Sequence, residues 1–239
     1  MELPIIVLGD PEGVARYHPV TAQLPALRRA LTKLGIAAEN LEVRMGRASY
    51  ATGEFAPNAL VINAIDNWSE LEPGAAALLA SRLLVHVAAG GRLLIWHQGL
   101  IAKNRPDLLS LGTADFTHHD PQTELRFSPR HTDAGSITDT DSITVADSIT
   151  VADNILAGVS GWTAVDEPYE FNFEPWFDSA VTVLVDYEYK EQRWPIVWSR
   201  AFGRGRLIYF GPGHNAASCE PEGFVDCLAA CLGWLIASA

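Results

Sequence analysis

The chain has 239 residues, 48% of them hydrophobic and 19% charged, which is the composition of an ordinary globular protein. A formal net charge of −12 argues against nucleic acid or an anionic membrane as a partner, since both need a basic face. Three cysteines, Cys219, Cys227 and Cys231, crowd the end of the chain and form neither a disulfide framework nor a zinc ribbon.

Taken in order, residues 4–9 form an apolar first strand rather than a signal peptide. No apolar run approaches membrane-spanning length, so the expected location is cytoplasmic. A loop with Tyr17-His18-Pro19 leads into a helix over 20–35, with Leu24, Leu27, Leu31 and Leu34 at helical spacing and Gly35 as its cap. Strands follow over 40–45 and 59–63. Ser69 with Glu72 three residues on has the pattern of a capping box, opening a helix that runs to Ala89. Gly90-Gly91-Arg92-Leu93-Leu94-Ile95-Trp96-His97-Gln98-Gly99 then reads as a strand buried on both faces, ending in a tight turn. This alternation predicts an α/β fold, a parallel sheet with helices on both faces.

Beyond Gly99 the pattern changes. A short helix is expected over 105–111, and 115–128 reads as extended. Next come three hexads, Ser136–Asp141, Ser142–Asp147 and Ser148–Asp153, the last two identical. They read as a surface insertion over 132–156, grown by tandem duplication within a single domain spanning 1–239. Strands return at Phe171, Phe173 and 180–185, and Gly203-Arg204-Gly205 turns a hairpin between Pro195–Trp198 and Arg206–Phe210. A helix over 221–237 closes the chain with Cys227 and Cys231 among its leucines, as core thiols.

Three histidines stand just after three separate strands: His18, His97 and His214. If those strands are sheet neighbours, the imidazoles meet above one edge, where ligands bind in open α/β sheets. With a carboxylate from Asp166-Glu167-Pro168-Tyr169-Glu170, they would make a first shell for Zn²⁺ or another divalent ion. The alternative is that each His is hydrogen-bonded singly at a strand end. A thiolate nucleophile is not expected, because the strand-to-helix elbow of amidotransferase-like proteins holds His97 here where those carry Cys. The ring of His97 is expected to project toward solvent. Trp68, Trp96, Tyr169 and Trp176, taken with Asp66, Asp166, Glu167 and Glu170, suit a polyol. Sugar C–H faces stack on aromatics while hydroxyls take acids and amides.

The ordered set Tyr17-His18-Pro19, Gly90–His97, Phe116-Thr117-His118-His119, Val165–Phe171, Pro195–Trp198, Gly203–Arg206 and Gly213-His214 resembles the ThuA-like (trehalose utilisation) family, a branch of the class I glutamine-amidotransferase-like fold. The resemblance covers nearly the whole chain apart from the repeat. It implies a flavodoxin-like three-layer sandwich with a mostly parallel central sheet and no amidotransferase Cys. It also implies a link to disaccharide or keto-sugar catabolism, as a hydrolase or isomerase. Its matching polar positions are His18, His97, His119, Glu167 and His214. On this reading His97 and Glu167 are catalytic. Trp68, Trp96, His119, Asp166, Tyr169 and Glu170 bind a small-molecule sugar, and His18, His97 and His214 hold a metal. The rival reading is a catalytically silent small-molecule-binding or subunit-interface module, with homo-oligomers open to it.

Overall fold

A computed structural model describes residues 3–46, 49–50, 54–66, 68–101, 105–130 and 155–237. The hexads Ser136–Asp153 lie outside them. Strand β1 (Ile5–Gly9) is followed by α1 (Val20–Lys33), β2 (Leu41–Met45), β3 (Leu60–Ala64), α2 (Pro73–Ala88) and β4 (Arg92–Trp96). Helix α3 (Pro106–Gly112), β5 (Ala114–His119) and β6 (Thr123–Pro129) come next. The remainder is β7 (Trp162–Asp166), β8 (Tyr169–Phe173), α4 (Phe177–Ala180), β9 (Thr182–Tyr189), β10 (Gln192–Phe202), β11 (Gly205–Phe210) and α5 (Glu222–Ile236).

Nine strands form one sheet in the order β2-β1-β3-β4-β11-β10-β9-β6-β7. The first five are parallel to their neighbours, and every pair from β11·β10 onward is antiparallel. The parallel strands β1, β3 and β4 are buried almost end to end, as expected of strands covered on both faces. β1 crosses over through α1 to β2 on one side, and β3 crosses through α2 to β4 on the other. Right-handed crossovers in opposite directions place α1 and α2 on opposite faces. α1 packs with α5, and α2 with α3, which makes the third layer.

Two local expectations are corrected. Ser69 does not cap α2: residues 68–70 form a separate 3₁₀ turn, and Glu72 is the N-cap, accepting from the Ala75 amide at 2.9 Å. Pro73 fits the first helical position, where no N–H is needed, and that moves the start past the Ser. The extended stretch 115–128 is two strands in different sheets. β6 joins the main sheet, while β5 pairs antiparallel with β8 in a two-stranded sheet. Phe171 of β8 stacks edge-on against Trp198 and Tyr209, which seats this small sheet on the antiparallel half.

A histidine and carboxylate cluster at the strand ends

The strand order explains why distant histidines meet. β1, β3, β4 and β11 are adjacent and parallel, so their carboxyl ends share one edge, and the direction of crossover reverses between β1 and β3. Ligand sites in open α/β sheets form at that reversal. His18 follows β1, Asp66 follows β3, His97 follows β4 and His214 follows β11. Glu167 reaches the same place from the β7–β8 connection. One ligand atom each from His18, His97, Glu167 and His214 lie within 4.8 Å of one another.

Each imidazole is held from behind. His18 Nδ1 donates to Asp66 Oδ1 at 2.5 Å, and Nε2 stands 3.4 Å from Glu167 Oε2. Asp66 also accepts from the backbone amides of Arg16, Tyr17 and His18. Behind it, Asp10 accepts from the Asp66 amide and the Tyr50 hydroxyl. His97 Nδ1 donates to Gly211 O at 2.5 Å, leaving Nε2 to accept from the Tyr169 hydroxyl at 2.9 Å, with Glu167 Oε2 3.5 Å away. His214 Nε2 pairs with the Gln122 amide at 2.7 Å. Its buried Nδ1 faces Glu167 Oε1 at 3.1 Å without the alignment of a hydrogen bond and has no other hydrogen-bond partner.

The elbow after β4 departs from expectation in one respect. His97 has φ +45°, a left-handed conformation that costs a non-glycine residue of order 1–3 kcal/mol and clusters at functional sites. Its ring does not project to solvent. It is fully buried, stacked at 4.5 Å on Tyr169 and edge-on to His18 at 4.8 Å. Gly99 is required two residues on, because a Cβ there would lie 2.2 Å from Asn63 O.

Burial would raise the Glu167 carboxyl, but the imidazoles of His18, His214 and His97 close around it and hold it far below the usual carboxylate range. For His18, burial favours the neutral form, and Asp66 with Glu167 outweighs it, so its pKa is raised. Burial lowers that of His97, offset only in part by Glu167. Burial likewise raises the Tyr169 hydroxyl, with Glu167 adding to it. An ionised carboxylate among imidazoles is the donor set of a divalent transition-metal site. A tetrahedral ion with bonds of ~2.0–2.1 Å separates its ligand atoms by about 3.3–3.4 Å. Glu167 Oε2 stands 3.4 and 3.5 Å from His18 and His97, and its Oε1 3.1 Å from His214, while the four ligand atoms as a set lie within 4.8 Å of one another.

Not every candidate residue lies in this site as a ligand contact. Trp96 and Trp68 are core residues: Trp96 donates to Pro212 O and packs on Phe210 and Phe224, and Trp68 is equally buried. Neither offers a free ring face to a sugar. Asp166 is 1% exposed, and its oxygens take backbone amides, so it does not face substrate. Tyr169 is buried against His97. Glu170 lies outside the cluster, 3.5 Å from His118 and 3.6 Å from Lys190. His119 does reach the site: its side chain is 35% exposed, with Nε2 3.6 Å from Glu167 Oε1. Sequence reading missed Asp10, Tyr50 and Gln122, which carry no motif and act only through contacts between distant segments. Cys219 is buried, and burial pushes its thiol up.

This architecture, a parallel sheet extended by antiparallel strands with helices on both faces, is an α/β fold that carries His97 in the turn after β4. The chain belongs to the ThuA (trehalose utilisation) family, whose model matches residues 12–235. Among solved structures it is similar to a ThuA-like protein from Parabacteroides merdae, with 16% identity and a TM-score of 0.67 over 98% of this chain and 90% of that one. A ThuA-like protein from Bacteroides uniformis gives 13% identity and 0.61, over 98% and 93%. A β-galactosidase from Rahnella sp. R3 gives 15% and 0.60, over 98% of this chain but 31% of that one. No curated protein matches the sequence.

Proposed function

We propose that the chain holds a divalent ion of the zinc class on His18, His97, Glu167 and His214, and acts there on a sugar or keto-sugar as a hydrolase or isomerase. The observation that carries this is the convergence of four ligand atoms whose supporting atoms are already engaged: Asp66 behind His18, Gly211 O behind His97 and Gln122 behind His214. Metal-bound histidines commonly donate their second nitrogen to such partners, as His18 does to Asp66 and His97 to Gly211 O, whereas His214 Nε2 accepts from the Gln122 amide. The ion would supply Lewis-acid polarisation of a carbonyl or hydroxyl oxygen. The family's trehalose-utilisation description supports a sugar as substrate.

Roles follow from exposure. Glu167 and His97 are enclosed, so both act as ligands and His97 does not meet substrate. His119 is the imidazole placed to touch a molecule entering the site. Metal analysis with zinc titration of the apoprotein tests the reading. The wild type should bind one equivalent, and Glu167→Gln or His18→Ala should lose at least 100-fold in affinity. A wild type that binds no zinc, or variants that bind as it does, would overturn it. A second reading, an accessory module without turnover, is favoured by the likeness to β-galactosidases in which this fold fills about a third of the chain. Sugar binding without conversion by the zinc-loaded protein would select it.

A further inference from the structure

Two of the four ligands, Glu167 and His214, stand on chain segments far apart in sequence, and one buried carboxylate ties those segments together. Asp166 Oδ1 accepts from the Glu167 amide at 2.8 Å and the His214 amide at 3.3 Å, and Oδ2 accepts from the Gly213 amide at 2.7 Å. Gly213 has φ +112°, a conformation open to glycine. A Cβ there would lie 3.0 Å from Trp96 Nε1 and 3.1 Å from Cys219 Sγ. The Gly213 carbonyl is held in turn by Gln23 Nε2 at 3.0 Å. The turn that presents His214 is therefore shaped from both sides. Among the described residues, Asp166 is the side chain that accepts from backbone amides of both segments.

Resting on the metal-site reading above, we infer that Asp166 is a positioning residue that sets the Glu167–His214 separation, now 3.1 Å, and so the affinity and geometry of the centre. It touches neither ion nor substrate. A carboxylate is needed because both oxygens accept. Asparagine can offer one acceptor, and its amide nitrogen would oppose an N–H of one segment or the other. Loss of such supporting contacts costs about 10–100-fold in metal affinity.

The test compares zinc affinity by chelator competition, melting temperature and the visible d–d bands of the Co²⁺-substituted protein, in wild type, Asp166→Asn and Asp166→Glu. Cys227→Ala, a buried α5 position outside the site, serves as a stability control. The expected result is a 10–100-fold loss of zinc affinity and altered Co²⁺ bands in Asp166→Asn, while Cys227→Ala lowers the melting temperature and leaves both unchanged. Unchanged affinity and bands in Asp166→Asn overturn this inference alone. Wild-type protein that binds no zinc overturns the metal reading and this inference with it. If neither Asp166 variant folds, Asp166 is a folding residue and the inference also fails.

Discussion

Tyr169 shows what residue-scale contacts decide. Its hydroxyl occupies His97 Nε2, the same lone pair a metal would take, while its ring stacks on the imidazole. Tyr169→Phe keeps the stack and removes the competitor. One net hydrogen bond is worth ~1 kcal/mol, so the melting temperature should fall by only a few degrees. Zinc affinity should stay level or rise a few-fold. A tenfold loss in the same chelator competition would show that the hydroxyl supports the ion instead. At this scale the sequence was a partial guide. His18, His97, Glu167 and His214 were all legible, because each sits at a strand end or beside a polar run. Their roles were not. Whether a carboxylate faces ligand or backbone amides depends on neighbours far along the chain, as Asp166 shows with Gly213, 47 residues away.

At the scale of elements, the β4 elbow joins fold to site. His97 holds its positive φ because Gly99 lets the following turn lie against β3, where Asn63 Nδ2 donates to Gly99 O at 3.0 Å. The obstacle to a larger residue is backbone, Asn63 O and C, which cannot rotate away. Gly99→Ala should therefore cost about 3 kcal/mol, at the upper end of ordinary overpacking, and should weaken zinc binding through His97. Denaturant midpoints and zinc titration check the two effects together. A midpoint shifted by less than a third of that cost would mean β3 and β4 part easily. The elbow was readable from the Gly90–Gly99 run, as were the parallel strands, whose stretches are short and bounded by turn residues such as Gly, Asn and Asp. The separate sheet of β5 and β8 was not, because alternating short strands look alike whichever partner they take. The start of α2 was misplaced by a Ser and Glu pattern that the proline at 73 overrides.

For the whole molecule, charge narrows what the site would accept. The net charge is −12, and the groups that hold the cluster are carboxylates, backbone amides and carbonyls, a tyrosine hydroxyl and a glutamine amide. Glu167 and Asp66 balance the two charges of a divalent ion, so the loaded centre has no net positive charge to draw in an anion, and the chain around it is net negative. Unit charges about 8 Å apart interact by ~2 kcal/mol at an effective dielectric near 20, enough to disfavour a dianionic ligand against a neutral one of the same shape. If the site takes sugars, it should take them unphosphorylated. In thermal shift and calorimetry on zinc-loaded protein, a neutral disaccharide or keto-sugar should bind at least tenfold more tightly than its phosphate ester. The gap should narrow as salt screens the repulsion. Tighter binding of the ester would mean that the ion, and not the surrounding acids, sets selectivity. A gap unmoved by salt would place the discrimination in shape.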